Sequence, residues 1–272
     1  MKRNRDLRFA SSPRLLRLLL VGTLAIALVA PMNFVIIQPG TPTALFPKVL
    51  AVKGIQSYPV DGQLYLLTIL ITTPETPVLG SEVLRCWAIG DCVVSPRSIY
   101  YKRESTNEKE FDEGVKDMKQ SQNSAIDASA NYLAVAFPSI NTSAFNEKSL
   151  TVALENTGGP SGGLIFSIGL VELLTPENIL KGRKIAGTGT ITSDGKVGAI
   201  GGVVEKIVGA KSVGAEIIFV SQENCSELPD SVEGINVVAV STLAQALSYL
   251  RKDVSASPLN SAGIQGCASV GS

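Results

Sequence analysis

Three features of this chain predict a mixed α/β fold (α+β) behind a single N-terminal transmembrane helix. From residue 184 onward, strand-like and helix-like segments alternate. A basic head, with Lys2, Arg3, Arg5, Arg8, Arg14 and Arg17 against the single acid Asp6, precedes an apolar run from Leu15 to about Ile37. The glycine-rich segment Gly158-Gly159-Pro160-Ser161-Gly162-Gly163 opens directly into an apolar helical stretch.

Residues 1–14 are the basic segment and 15–37 the predicted transmembrane signal anchor. About twenty apolar residues span the hydrocarbon core of a bilayer. A basic flank marks the cytoplasmic side. The expected location is therefore the cell membrane, single-pass, with a cytoplasmic N-terminus and everything after residue 38 extracytoplasmic. A signal peptide cleaved after Ala25-Ile26-Ala27 is the competing reading, and the apolar run continues past that point.

Residues 38–149 form an N-terminal extracytoplasmic region. In it, Gly62 to Thr72 has strand composition and ends at Pro74 and Pro77. Phe111, Val115 and Met118 recur at helical spacing, predicting a helix over about Glu110 to Tyr132. Residues 150–252 form the second domain. The predicted order is a strand at 150–154, a helix from Leu164 to Leu174 stopping before Pro176, and a strand from Lys184 to Thr192. A turn at Ser193-Asp194-Gly195-Lys196 leads to a return strand, Val197 to Ile200, and a helix from about Val203 to Val213. Strands at 216–220 and 235–240 come next, then a helix from Thr242 to Leu250. Residues 253–272, rich in Ser, Ala and Gly, are expected to be disordered.

The 272 residues carry 24 Lys and Arg against 24 Asp and Glu. Zero net charge argues against a nucleic-acid partner. Of four cysteines, Cys86 and Cys92 bracket a short loop that a disulfide could close, and Cys225 and Cys267 are a possible second pair; four free thiols are the alternative. With no CxxC and no histidine, no metal site and no cofactor are expected.

The absence of histidine also excludes a Ser-His-Asp triad within this polypeptide. If Ser161 is a nucleophile, its base must be another group, and a lysine in apolar surroundings loses its proton most readily. Pro160 sets the entry to the helix, while Gly159 and Gly162 permit close backbone approach. The competing role for Ser161 is a simple helix N-cap. Lys206 shares a helix face with Val203 and Ala210; Lys211 follows Val204 and Val208 at similar spacing, so periodicity cannot choose between them.

These segments resemble the proteolytic domain of the Lon protease family. Gly159-Pro160-Ser161 with Gly163 matches its serine motif, and Gly201-Gly202 through Glu205-Lys206 its lysine motif. Thr188-Gly189-Thr190-Ile191-Thr192 matches the Thr-Gly segment between them. The resemblance covers roughly residues 150 to 250. It implies a serine endopeptidase cleaving protein or peptide substrates through a Ser161–Lys206 dyad, with Thr188 orienting the lysine. The similar variant is the membrane-anchored, ATP-independent Lon-like peptidase. Its features are the N-terminal helix, an exit like Phe34 to Gly40, and a helix with Ser121-Gln122-Asn123 and Ala125-Ile126. Two features depart from it. Gly158 stands where many Lon proteases have an acidic residue, and the PDZ domain usual in that variant does not fit between Tyr132 and Leu150. No G-x-x-x-x-G-K-S/T loop occurs, so no ATPase module is expected. A homo-oligomer is left open. The alternatives are a catalytically silent, membrane-attached binding or scaffold protein, and a small-molecule kinase using the glycine-rich segment as an anion cradle.

Overall fold

The central sheet takes strands from both halves of the chain. The computed structural model describes residues 13–142, 145–146, 150–154, 157–252 and 264–267. In chain order, the first elements are α1 (Arg14–Val29), β1 (Pro31–Met32), β2 (Phe34–Pro39), β3 (Thr43–Ala44), β4 (Leu50–Val52), β5 (Gln63–Leu66) and β6 (Ile69–Ile71). Then come β7 (Val78–Leu79), α2 (Gly80–Ile89), β8 (Val93–Pro96), α3 (Arg97–Tyr100), α4 (Asn107–Ala136), β9 (Leu150–Val152) and α5 (Gly163–Leu174). The last are β10 (Lys184–Gly187), β11 (Thr190–Ile191), β12 (Val197–Gly198), α6 (Val203–Ser212), β13 (Ile217–Ser221), β14 (Asn236–Val240) and α7 (Leu243–Arg251). A 3-10 turn, Gln222–Glu227, succeeds β13.

The apolar run over 15–37 is not one helix. α1 has 16 residues, a length of ~24 Å at 1.5 Å per residue and short of the roughly twenty residues a bilayer requires. Ala30 is extended, Pro31 brings no N–H to continue the ladder, and the apolar residues from Phe34 onward form a strand. No helix among the described residues is long and apolar enough to cross a membrane. The single transmembrane helix is thereby overturned, and with it the single-pass membrane location inferred from it.

The chain divides into two compact units, Met1–Ile36 with Thr72–Glu104, and Ile37–Ile71 with Ser105–Ser272. In the first, β1 pairs antiparallel with β7, Pro31 opposite Leu79 and Met32 opposite Val78. Gly80, at the start of α2, lies against the Ala27 carbonyl of α1, where a Cβ has no room. α2 ends at Gly90 in the left-handed region, φ 73°, a C-terminal position glycine occupies without a Cβ penalty. A Cys86–Cys92 disulfide closes the turn after α2, Cα atoms 5.4 Å apart.

In the second unit the sheet order is β14-β13-β10-β5-β3, the first four parallel and β3 antiparallel to β5. Its strands alternate between two apolar layers. Ile217 and Phe219 of β13 join a core with α4, α5 and α7, whereas Ile218 and Val220 join one with Val203, Ile207 and Ala210 of α6. The sheet is thus covered by helices on both faces, as a mostly parallel sheet must be. The strand expected over 62–72 divides because β5 belongs to this sheet while β6 pairs with β2, Ile71 opposite Ile37. The strand expected over 184–192 divides after Gly187: Thr188 N–H still donates to Phe219 (2.9 Å), but Gly189 N–H donates to Ser161 (2.9 Å). α4 is longer than predicted because Thr106 caps it, accepting from Lys109 N–H at 3.4 Å. Cys225 and Cys267 form a second disulfide, Cα atoms 5.7 Å apart. The expected disordered tail lies outside the described residues except for 264–267.

Candidate active site

The site lies at the carboxyl end of the parallel strands, where open α/β sheets hold their ligands. β5 ends at Leu66 and the chain runs on through Leu67, Thr68 and Ile69; β10 ends at Gly187, immediately before Thr188. Leu66 to Ile69, Met118 of α4, Thr157 to Ser161, Gly201 and Lys206 line one cavity of about 200 Å³.

Ser161 is half-buried on that wall, one residue before Gly162, which caps α5. The glycine is required: a Cβ there would sit 2.7 Å from Phe166 Cε2 and 2.9 Å from Leu66 Cδ1. Gly159 has φ 94°, open to glycine and strained for other residues. α4 braces the segment from behind. Gly159 N–H donates to the Gly114 carbonyl (2.8 Å), and Ser121 Oγ to the Pro160 carbonyl (2.9 Å). Gly158 packs directly on Gly114, so a side chain there, acidic or not, requires the α4 backbone to give way by a few tenths of an ångström.

Lys206 is 3% exposed. Burial pushes its ammonium down to about 8 from the ordinary 10.5, with the neighbouring Glu205 charge opposing the shift. Its Nζ donates to Thr188 Oγ1 at 3.2 Å, and Thr188, fully buried, donates to the Ser161 carbonyl at 3.3 Å. Lys211, which periodicity could not distinguish from Lys206, is exposed. The fold therefore gathers Ser161, Lys206, Thr188, Gly159, Pro160 and Gly162 into one neighbourhood. Among the described residues, no group of three or more His, Cys, Asp or Glu side chains is placed to hold a metal ion.

The Lon protease (S16) C-terminal proteolytic domain matches residues 116–252. This chain belongs to that family. The match begins within α4, after Gly114 and before Ser121. Similar proteins include the Lon protease of Aster yellows witches'-broom phytoplasma, 35% identical over 96 residues, which cover 34% of this chain and 12% of that protein. Lon protease 2 of Bacillus subtilis is 34% identical over 92 residues, 34% of this chain and 16% of its own length. The mitochondrial Lon protease homolog of Candida dubliniensis is 38% identical over 107 residues, 38% of this chain and 10% of its own length. The alignments thus span well under two thirds of these relatives.

Several residues of the site carried no recognised signal in sequence. Leu66 to Ile69 supply a wall from far upstream. Gly114 was legible in principle, as a lone glycine inside a helical pattern that often marks close packing. Asn224, which holds both backbone groups of Ile200, had no pattern to reveal it.

Proposed function

We propose that this chain is a serine endopeptidase acting on protein or peptide substrates, with Ser161 as nucleophile and Lys206 as general base. The observation that carries it is the burial of Lys206, its amine lowered to about 8, on the wall of the cavity that Ser161 also lines. A neutral amine accepts the Ser161 hydroxyl proton as Oγ attacks the scissile carbonyl. The resulting ammonium returns that proton to the leaving amine. Water, deprotonated in turn by Lys206, releases the acyl group from Ser161. The N–H groups at the start of α5, apart from that of Leu164, which donates to the Gly189 carbonyl at 3.1 Å, are donors suited to the oxyanion. In this reading hydrolysis proceeds without ATP bound by this chain, whose 272 residues contain no G-x-x-x-x-G-K-S/T loop.

The test is hydrolysis of casein or an unstructured peptide. Ser161→Ala and Lys206→Arg are each expected to lower kcat by roughly a thousandfold or more, with the double variant no worse, since groups acting as one unit are not additive. Lys211→Arg keeps most of the activity. In the wild type, activity rises as pH passes about 8, because only the neutral amine is a base. A wild-type rate in Ser161→Ala removes Ser161 as the nucleophile.

A further inference from the structure

The loop that delivers Lys206 is held at three successive points by the end of β13 and the turn after it. Ser221, fully buried, donates its hydroxyl to the Val197 carbonyl at 3.3 Å. Glu223 Oε2 accepts the Ala199 N–H at 2.9 Å. Asn224 takes both backbone groups of Ile200: its Oδ1 accepts the N–H at 3.0 Å, and its Nδ2 donates to the carbonyl at 2.8 Å. The Nδ2 also donates to Glu227 Oε1 at 2.7 Å. Asn224 is fully buried.

Ile200 leads directly to the lysine. Gly201 is part of the cavity wall. Gly202, at φ 67°, caps α6, and its carbonyl accepts the N–H of Lys206 itself at 3.1 Å. An apolar side chain of similar volume would fill the place of Asn224 without the cost of burying an amide. It would not fix the Ile200 N–H and carbonyl directions together, which a bidentate amide does.

We infer that Asn224, assisted by Glu223, is a positioning residue for Lys206: by holding Ile200 it starts α6 where the Lys206 amine meets Thr188 beside Ser161. The inference rests on the peptidase reading only for its kinetic consequence. The placement of the amine is measurable without activity.

The experiment uses the full chain and two variants. Asn224→Leu keeps the branched shape at a somewhat larger volume and removes all three hydrogen bonds. Glu223→Ala alters an exposed residue and so folds if Asn224→Leu does not. The Lys206 signal is followed in 13C-lysine NMR titrations and assigned by its loss in Lys206→Arg. In both variants its midpoint is expected to move upward, toward an ordinary lysine, as the amine loses its seat. For peptide hydrolysis by Asn224→Leu, kcat should fall on the order of tenfold, since a misplacement of ~1 Å can cost up to roughly a hundredfold. KM should stay within about twofold, because the lost interaction is not one of ground-state binding. A Lys206 midpoint unmoved in both variants overturns the inference, whatever happens to thermal stability. Failure of the peptidase reading is separate: hydrolysis would then persist in Ser161→Ala, and the titration would still decide the role of Asn224.

Discussion

Lys206 Nζ lies 3.2 Å from Thr188 Oγ1, and the same hydroxyl lies 3.3 Å from the carbonyl of Ser161. A threonine hydroxyl has one proton. Since the Ser161 carbonyl can only accept, that proton points to it, and Thr188 must accept from Lys206. The lone pair of a neutral Lys206 amine is then directed away from Thr188. The contact orients the amine without consuming its basicity, which is the arrangement a lysine needs if it is to take a proton from the cavity.

Burying that amine costs stability, and the cost has a defined pH window. Its folded value of about 8 lies below the ordinary 10.5. Between those values the unfolded chain binds more protons, so stability rises with pH there, and below pH 8 the full penalty applies. Lys206→Met should therefore be inactive yet more stable at pH 7, by up to ~3 kcal/mol at about 1.4 kcal/mol per pH unit. The gain should vanish toward pH 10.5. Urea unfolding at several pH values measures it, and a variant less stable than wild type at pH 7 contradicts the burial argument.

The Gly158–Gly114 contact makes a second prediction. A Cβ built on Gly158 sits 3.0 Å from the backbone of Gly114, and backbone cannot yield as a side chain can. Gly158→Asp should lift the serine segment from α4 and break the Gly159–Gly114 hydrogen bond. The expected cost is roughly 1–3 kcal/mol of stability, with peptidase activity reduced tenfold or more by displacement on the order of 1 Å. If Gly158→Asp matches wild type in both thermal melting and hydrolysis, the close approach does not position Ser161.

The legible parts of the molecule were those governed by local chemistry. Gly-Pro-Ser before an apolar helix, the Ser193–Lys196 turn, and the apolar strands over 216–220 and 235–240 all have short-range causes, and their elements form within a few residues of the expected places. The choice between Lys206 and Lys211 was not local, because each has apolar neighbours at helical spacing. Which face of α6 meets Ile218 and Val220 decides it. The run over 15–37 misled because hydropathy measures apolarity and not conformation. Pro31 divides it, and the second part pairs as a strand with β6. Gln63 to Ile69 reads as an ordinary strand until β10 is placed beside it, and only then does Leu66 to Ile69 become a wall of the cavity.

A third prediction concerns the Cys225–Cys267 disulfide, which ties the 3-10 turn holding Ile200 to the segment at 264–267. The two cysteines are 42 residues apart. On chain-entropy arithmetic a loop of that length stabilises the fold by about 4 kcal/mol. Cys225→Ser with Cys267→Ser, or reduction of the wild type, should lower the melting temperature by several degrees. Reduction of Cys86–Cys92 alone, a loop of separation 6, should cost less. Equal melting of oxidised and reduced protein would remove the disulfide from the account of stability.

The last prediction concerns Glu172, 1% exposed near the end of α5. Its Oε2 accepts the Ile179 N–H at 2.9 Å, while its Oε1 has no hydrogen-bond partner among the described residues. Burial pushes the carboxyl up to about 7 from the ordinary 4.5; Glu177 and Asp61 push the same way, and the N–H groups of Ile179 and Leu180 oppose. A group raised in the folded state contributes stability below its unfolded value and loses it as pH rises through the folded one. Wild-type stability should therefore fall between pH 4.5 and about 7 by an amount due to this one carboxyl. Glu172→Gln keeps an oxygen for Ile179 and cannot ionise. The variant should match the wild type near pH 4.5 and exceed it above pH 7 by up to ~3 kcal/mol, at about 1.4 kcal/mol per pH unit. Parallel urea titrations from pH 4.5 to 8 read the difference directly. A difference that stays constant over that range would mean that Glu172 ionises at its ordinary value, with its second oxygen satisfied.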